Sequence, residues 1–168
     1  SFAKMICSRA ACFFLFSDNG CYRRKTSGGK SLGPAAGVDV PADELSTLLA
    51  GGVPLAEAQR SELYRTDSDE SILVLKDRFG GIVQHARLSA DFNRVHRLVR
   101  YDRRGVKYKA IINAYERFGG RMLPVKLALT DNRNNQIRIS VDRAWTDVPV
   151  TETVFDPELP EGVRCEGR

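Results

Sequence analysis

Apolar side chains recur at every second position through the last third of the chain, in Leu123, Val125, Leu127 and Leu129 and then in Ile137, Ile139 and Val141. That spacing sets them on one face of a pleated strand. Between the two runs, Asp131 to Asn135 are residues that tolerate a left-handed backbone, so a hairpin with one apolar and one wet face is predicted. Strand-like runs follow one another closely at 71–76, 82–88, 95–101, 106–115, 122–130 and 136–143. They are separated by Gly80-Gly81, Ser89-Ala90-Asp91, Gly105, Gly119-Gly120 and the 131–135 turn. Such spacing leaves no room for crossover helices, so the strands should pair antiparallel with their neighbours, in a sheet that curves if the Gly pairs act as bends.

Two segments are less regular. In 91–101, Arg94, Arg97 and Arg100 repeat every third residue with Phe92, Val95, Leu98 and Val99 in the gaps, which also suits a basic amphipathic helix. A strand is preferred because the neighbouring runs are strands. In 55–64, "LAEAQRSELY" could form another helical turn or two, followed by the polar connection "TDSDES". A first helix of about ten residues is predicted from Pro41, with Pro in its first turn, Asp43 and Glu44 favourable to its N-terminal dipole, Leu45, Leu48 and Leu49 on one side, and Gly51-Gly52 as its stop. Nearer the N-terminus, Asp18-Asn19-Gly20 between an apolar run and a polar one predicts another hairpin within 12–26, and 27–38 reads as a Gly, Ser and Pro-rich connection.

Candidate chemistry is sparse. Ser27 to Ser31, "SGGKS", has the tail of a phosphate-cradling loop, but the full pattern needs Gly where Arg24 stands, and Pro34 and Gly37 follow where a helix should open. His85 and His96 carry no accompanying nucleophile or metal-binding pattern, and Asp67, Asp69 and Glu70 lack calcium-loop spacing. No catalytic residue, metal site or cofactor is expected. Cys7, Cys12, Cys21 and Cys165 contain no C-x-x-C pair; they could form disulfides in an oxidising compartment, with a connectivity that spacing does not reveal, or stand as free buried thiols.

The chain has 168 residues, enough for one domain, with 42% hydrophobic and 28% charged residues and no apolar run near the length of a membrane span. The net charge of +5 permits attraction to phosphates, yet the basic residues are scattered among 21 acids, as on the solvated face of a sheet. Phe92 and Tyr101 alone accompany the arginines of 94–104, too few aromatics for a stacking surface, which argues against nucleic acid as a partner. Beginning at Ser1 rather than Met, the sequence reads as a mature or trimmed product, with any signal peptide or lipid-accepting Cys lying upstream.

Pro124, Leu129-Thr130-Asp131, Asp142 and the closing Trp145 resemble the final hairpin of the LolA/LolB lipoprotein localisation factors, and Phe155 to Val163, "FDPELPEGV", resembles the "F-x-x-x-x-P-x-G-V" ending of the LolA branch. The two matches lie within the last third of the chain. The resemblance implies a mainly β (α+β) fold over residues 1–168, a single domain in which a curved antiparallel sheet forms an open half-barrel with one or two short helices as lid. The stretch before Cys12 is too brief for the family's earliest strands. It also implies a non-enzymatic protein of the periplasm or the inner face of a Gram-negative outer membrane. Its partners would be acylated lipoproteins or lipids, with peripheral membrane contact through an upstream lipid anchor, although the exposed Leu loop of the LolB branch is missing here. An adaptor that docks other envelope proteins in the same half-barrel is the alternative.

The predicted cavity-lining set is Leu45, Leu48, Leu49, Leu73, Leu75, Ile82, Tyr108, Ile112, Val125, Leu127, Ile137, Ile139, Trp145 and Phe155. An apolar sheet face capped but not filled by short helices would leave room for an acyl chain, which gains about 0.8 kcal/mol per buried methylene. Trp145 and Phe155 could equally line the mouth of such a hollow or plug a core.

Overall fold

The computed structural model describes residues 37–146, 149 and 151, together with strand backbone at 2–7, 11–16, 21–25 and 165–166. One helix and eleven strands lie in this part: β1 (Phe2–Cys7), β2 (Ala11–Phe16), β3 (Cys21–Lys25), α1 (Ala42–Leu49), β4 (Arg60–Arg65), β5 (Ser71–Lys76), β6 (Ile82–Leu88), β7 (Val95–Asp102), β8 (Gly105–Phe118), β9 (Arg121–Asp131), β10 (Gln136–Ser140) and β11 (Cys165–Glu166). β4 to β10 form a seven-stranded sheet in simple sequence order, and every neighbouring pair is antiparallel. The sheet is open and uncurled. β1, β2, β3 and β11 form a second sheet, in which β11 runs parallel to β3.

Period-two patterning placed six of the strands, β5 to β10. β5 and β6 coincide with the predicted runs, β7, β8 and β9 extend them by one to three residues at an end, and β10 stops short at Ser140. Within the 91–101 segment, residues from Val95 on form a strand, as preferred, and 91–94 belong to the turn before it. The hairpin expected in 12–26 is the β2–β3 pair, with Phe14 opposite Tyr22; its Asp-Asn-Gly turn and the 27–36 connection lie outside the described residues. The Gly pairs sit in turns, with positive φ at Gly80, Gly119 and Gly120. Irregularity within the strands comes instead from register shifts such as Arg100/Tyr101 and Ile112/Ala114.

Two expectations need correction. Of the one or two short helices expected, the candidate at 55–64 does not form: 52–58 is irregular and Arg60–Arg65 is the edge strand β4, paired along its whole length with β5. Ala, Glu, Gln and Leu favour helix locally, but pairing satisfies the free edge of β5 and sets Leu63 opposite Leu73. Propensity loses to the ladder. The stretch before Cys12, too brief for the family's earliest strands, does hold one strand, β1, which pairs with β2.

Helix α1 starts after Pro41, whose extended backbone (φ −62°, ψ 139°) leads directly into the first turn. It ends where Gly51 takes a left-handed conformation (φ 82°) and donates its N–H to the Leu48 carbonyl at 2.9 Å. A Cβ at Gly51 would meet the Met122 carbonyl oxygen at 2.9 Å, so glycine is required both by φ and by the close approach of β9.

The core lies between α1, the Val38–Val40 segment before it, and one face of the sheet. Adjacent registers place Leu63, Leu73, Ala86, Leu98, Ala110, Leu129 and Ile137 in one row across all seven strands. Ala86 and Ala110 alternate with leucines in this row, and the small residues give α1 room to seat Ala42, Leu45 and Leu48 on the sheet. Each buried leucine contributes about 1.5–3 kcal/mol by leaving water.

Leu98 is 0% exposed at the centre of this row, whereas Ile111, one position out of its parity, is 43% exposed on the opposite face. Leu98→Ala should therefore lower the unfolding free energy by about 2–5 kcal/mol, and Ile111→Ala by about 0.5 kcal/mol or less. Urea titration of both variants checks the contrast.

Candidate functional site

One turn of the pleat away from the leucine row runs a second row on the same face: Ser61, Leu75, Gln84, Arg100, Tyr108 and Asp131, again opposite one another strand by strand. Three of its central members are polar and lie under the N-terminal half of α1. Glu44, in the first turn of the helix, reaches down to them. Arg100 donates to both carboxylate oxygens, Nη2 to Oε1 at 2.7 Å and Nε to Oε2 at 3.1 Å. The Tyr108 hydroxyl donates to Oε2 as well. The side chains of Arg100 and Glu44 keep only 13% and 14% of their exposure, and this two-pronged pair is the shape an Arg fork makes on a carboxylate.

Gln84 completes the cluster. Its Oε1 accepts from Arg100 Nη1 at 2.7 Å and from the Ala56 backbone N–H at 2.8 Å, so the 52–58 segment is tied to the same point. Two donors on Oε1 fix the orientation of the amide. Its Nε2 is buried and has no acceptor among the described residues, a state that costs about 1–3 kcal/mol.

Burial works against the charge of Arg100, but the Glu44 carboxylate outweighs it and its pKa is raised. Burial, and then the Glu44 charge and hydrogen bond, push the Tyr108 hydroxyl far up. Both groups therefore keep their protons across the neutral range. The cluster holds α1 against the sheet. At the end of the row, Asp131 accepts from the backbone N–H groups of Asp39 (3.3 Å), Arg133 and Asn135 (both 2.9 Å), pinning the segment before α1 to the β9–β10 turn.

A groove of about 340 Å³ opens beside the cluster between α1 and the 52–58 segment, lined by Glu44, Thr47, Val53, Leu55 and Arg100 among others. Among the described residues no group of three or more His, Cys, Asp or Glu could hold a metal ion. Nor, among them, is any helix long and apolar enough to cross a membrane.

Of the predicted lining residues, Leu45, Leu48, Leu75, Tyr108, Ile112, Val125 and Leu127 are buried. Leu49, Leu73, Ile137 and Ile139 are partly buried against the same core. Ile82 is 48% and Trp145 75% exposed, and Phe155 lies outside the described residues. The twelve positions from Leu45 to Ile139 thus come from the elements predicted, and eleven of them, Ile82 excepted, are buried or partly buried. Sequence reasoning missed Glu44, Gln84 and Arg100 as a site. The signal was their parity: Gln84 alternates with Ala86 and Leu88, and Arg100 with Leu98, so both were bound to face inward.

No protein-family model matches this chain, and no curated protein matches it. Two solved structures share its fold. A domain assigned to outer membrane lipoprotein sorting from Vibrio parahaemolyticus superposes with a TM-score of 0.54 at 14% identity, over 87% of this chain and 63% of that one. A DUF1329 family protein from Desulfovibrio piger superposes with a TM-score of 0.53, also at 14% identity, over 86% of this chain and 68% of that one. The chain thus spans somewhat under two thirds of the Vibrio domain. At 14% identity the likeness to both is one of fold.

Removing one member of a buried pair strands its partner's charge, so Arg100→Ala should cost about 3–5 kcal/mol. Tyr108→Phe, which keeps the ring and loses one hydrogen bond to a carboxylate, should cost about 1.5–3 kcal/mol. Chemical denaturation measures both, and equal losses would contradict the geometry.

Burial raises the Asp131 pKa, but hydrogen bonds from Asn135, Asp39 and Arg133 prevail and hold it below the usual carboxylate value. A depressed folded pKa contributes stability that is present above the unfolded value and lost as pH falls through the folded one. Asp131→Asn should accordingly be destabilised at neutral pH, and its deficit relative to wild type should shrink as acid titrates the native carboxylate. Thermal melts from neutral pH to below pH 3.8 test this.

Proposed function

We propose that this chain binds acyl chains of lipoproteins or lipids without covalent chemistry, against the apolar face of its seven-stranded sheet, once α1 lifts from it. The observation that carries this reading is the disproportion between that face and its cover. A row of apolar residues crosses every strand, yet an eight-residue helix with three buried side chains and the short segment before it make up the described cover, fastened through one polar cluster. A helix of that length is not stable alone in water, so packing and the polar cluster hold it in place, and an acyl chain would have to replace the contacts it gives up. Residues 45, 48, 49, 73, 75, 82, 108, 112, 125, 127, 137, 139, 145 and 155 are then the surface offered to the ligand, with residues 1–168 acting as one domain. The fold it shares with a lipoprotein-sorting domain supports this reading and, with it, a place in the envelope of a Gram-negative bacterium, acylated lipoproteins or lipids as partners, and no catalytic role.

Native mass spectrometry of the freshly purified protein, followed by organic extraction, tests the proposal directly. A lipid or lipopeptide in up to equal amount is expected; a chain that stays empty with fatty-acyl probes at micromolar concentration and gains only another polypeptide from envelope extract would replace carriage by protein docking. A second readout follows from the latch. If α1 must lift, Tyr108→Phe biases the protein toward the open state by about 1.5–3 kcal/mol and should raise apparent acyl-probe affinity by about tenfold or more while lowering stability.

A further inference from the structure

The cysteines at 7, 12, 21 and 165 are the full complement of the chain, and four cysteines allow three pairings. Backbone register selects one of them. β1 and β2 run antiparallel with Cys7 opposite Cys12. β3 and β11 run parallel with Cys21 beside Cys165. Every cysteine thus has another as its cross-strand partner, and none is left over.

The spacing suits a covalent link. Directly opposed residues of an antiparallel pair have Cα atoms about 4.5–5.5 Å apart, and neighbouring strands of any sense lie about 4.8 Å apart. Both fall within the roughly 4.4–6.8 Å that a disulfide spans between Cα atoms.

Alternation along the strands disfavours the other pairings. Cys12 stands opposite Arg24, and Cys21 opposite Leu15. Positions 21 and 24 are an odd number of residues apart on β3, so the Cys7–Cys12 row and the Cys21–Cys165 row belong to opposite faces of the four-stranded sheet. Either alternative pairing would have to join residues across the thickness of the sheet.

We propose that Cys7–Cys12 and Cys21–Cys165 are two disulfide sites, the first closing the β1–β2 hairpin and the second fastening the C-terminal strand to β3. Each forms by exchange with the disulfide of a thiol oxidoreductase. One cysteine thiolate attacks that disulfide to give a mixed disulfide, the second cysteine displaces the oxidoreductase, and two electrons and two protons leave on its dithiol. The second link encloses the whole seven-stranded sheet in its loop and so constrains the unfolded chain far more than the first. The inference rests on the envelope reading for its oxidising compartment and on the register for its connectivity.

The test uses the full chain, secreted to an oxidising compartment and purified without reductant, and in parallel the reduced chain refolded in a glutathione redox buffer. After alkylation under denaturing conditions, the intact mass should lie four hydrogens below that of the reduced chain, with no alkyl adduct. Trypsin cuts after Arg9 and Arg164, and chymotrypsin cuts between Cys12 and Cys21 at Phe13 to Phe16, so all four cysteines fall in separate peptides. Non-reducing mapping should recover the Cys7 peptide joined to that of Cys12, and the Cys165 peptide joined to that of Cys21. Any other pairing, or four alkylated thiols after both treatments, overturns the proposal. In Cys165→Ser, Cys21 should be the one cysteine that alkylates; a free Cys7 or Cys12 would also overturn it. None of these readouts depends on lipid carriage, so acyl binding can fail while the disulfides stand, and the reverse.

Discussion

A sheet with one apolar face has to bury that face, and here the described cover is a helix of eight residues and the segment that leads into it. Everything about the core follows from how little material does this. Alanines at 86 and 110, set between leucines across the strands, let the helix approach closely enough for Leu45 and Leu48 to reach the sheet. Gly51 then turns the chain where the Met122 carbonyl leaves no space for a side chain. The packing is dense because the cover is small.

Apolar contact alone would leave such a short helix free to slide along the leucine row. The Glu44, Arg100 and Tyr108 contacts are directional and join α1 to two neighbouring strands at one point, with Gln84 adding a third strand and the 52–58 segment. Buried ion pairs repay little of their desolvation cost in net stability. Their effect in this fold is positional: they set the height and rotation of the helix over the sheet. A latch of few, strong and mutually dependent contacts yields as a unit once broken, which is the property a removable cover needs, and dispersed apolar packing would give way gradually instead.

The two halves of the cover are also tied to two different members of one row. Asp131 holds the backbone of Asp39 before the helix, while Gln84 holds that of Ala56 after it. Residues 84, 100, 108 and 131 of this row therefore act as a rail along which the covering segment is pinned, on strands β6 to β9. The fold is shared at 14% identity with two solved structures, as expected where the apolar face needs only side chains of suitable size and the rail only a few polar positions.

Local pattern was enough for the strands β5 to β10, the 131–135 turn and the helix from Pro41, because alternation, turn residues and helix stops act over a few neighbouring positions. The same parity already required Gln84 and Arg100 to face inward. It could not say that Glu44, 56 residues from Arg100 and 64 from Tyr108, would be the group that meets them. Edge strand β4 was hidden for a related reason: its residues favour helix in isolation, and only the unpaired edge of β5 made the extended form the better one. Cysteine spacing likewise left three connectivities open until strand register set Cys7 against Cys12 and Cys21 against Cys165. What the chain alone determined is the alternation that makes an antiparallel sheet with one apolar face; what tertiary structure decided is which distant residues share a row, because register and helix placement are settled by the energy of the assembled faces and not by any single segment.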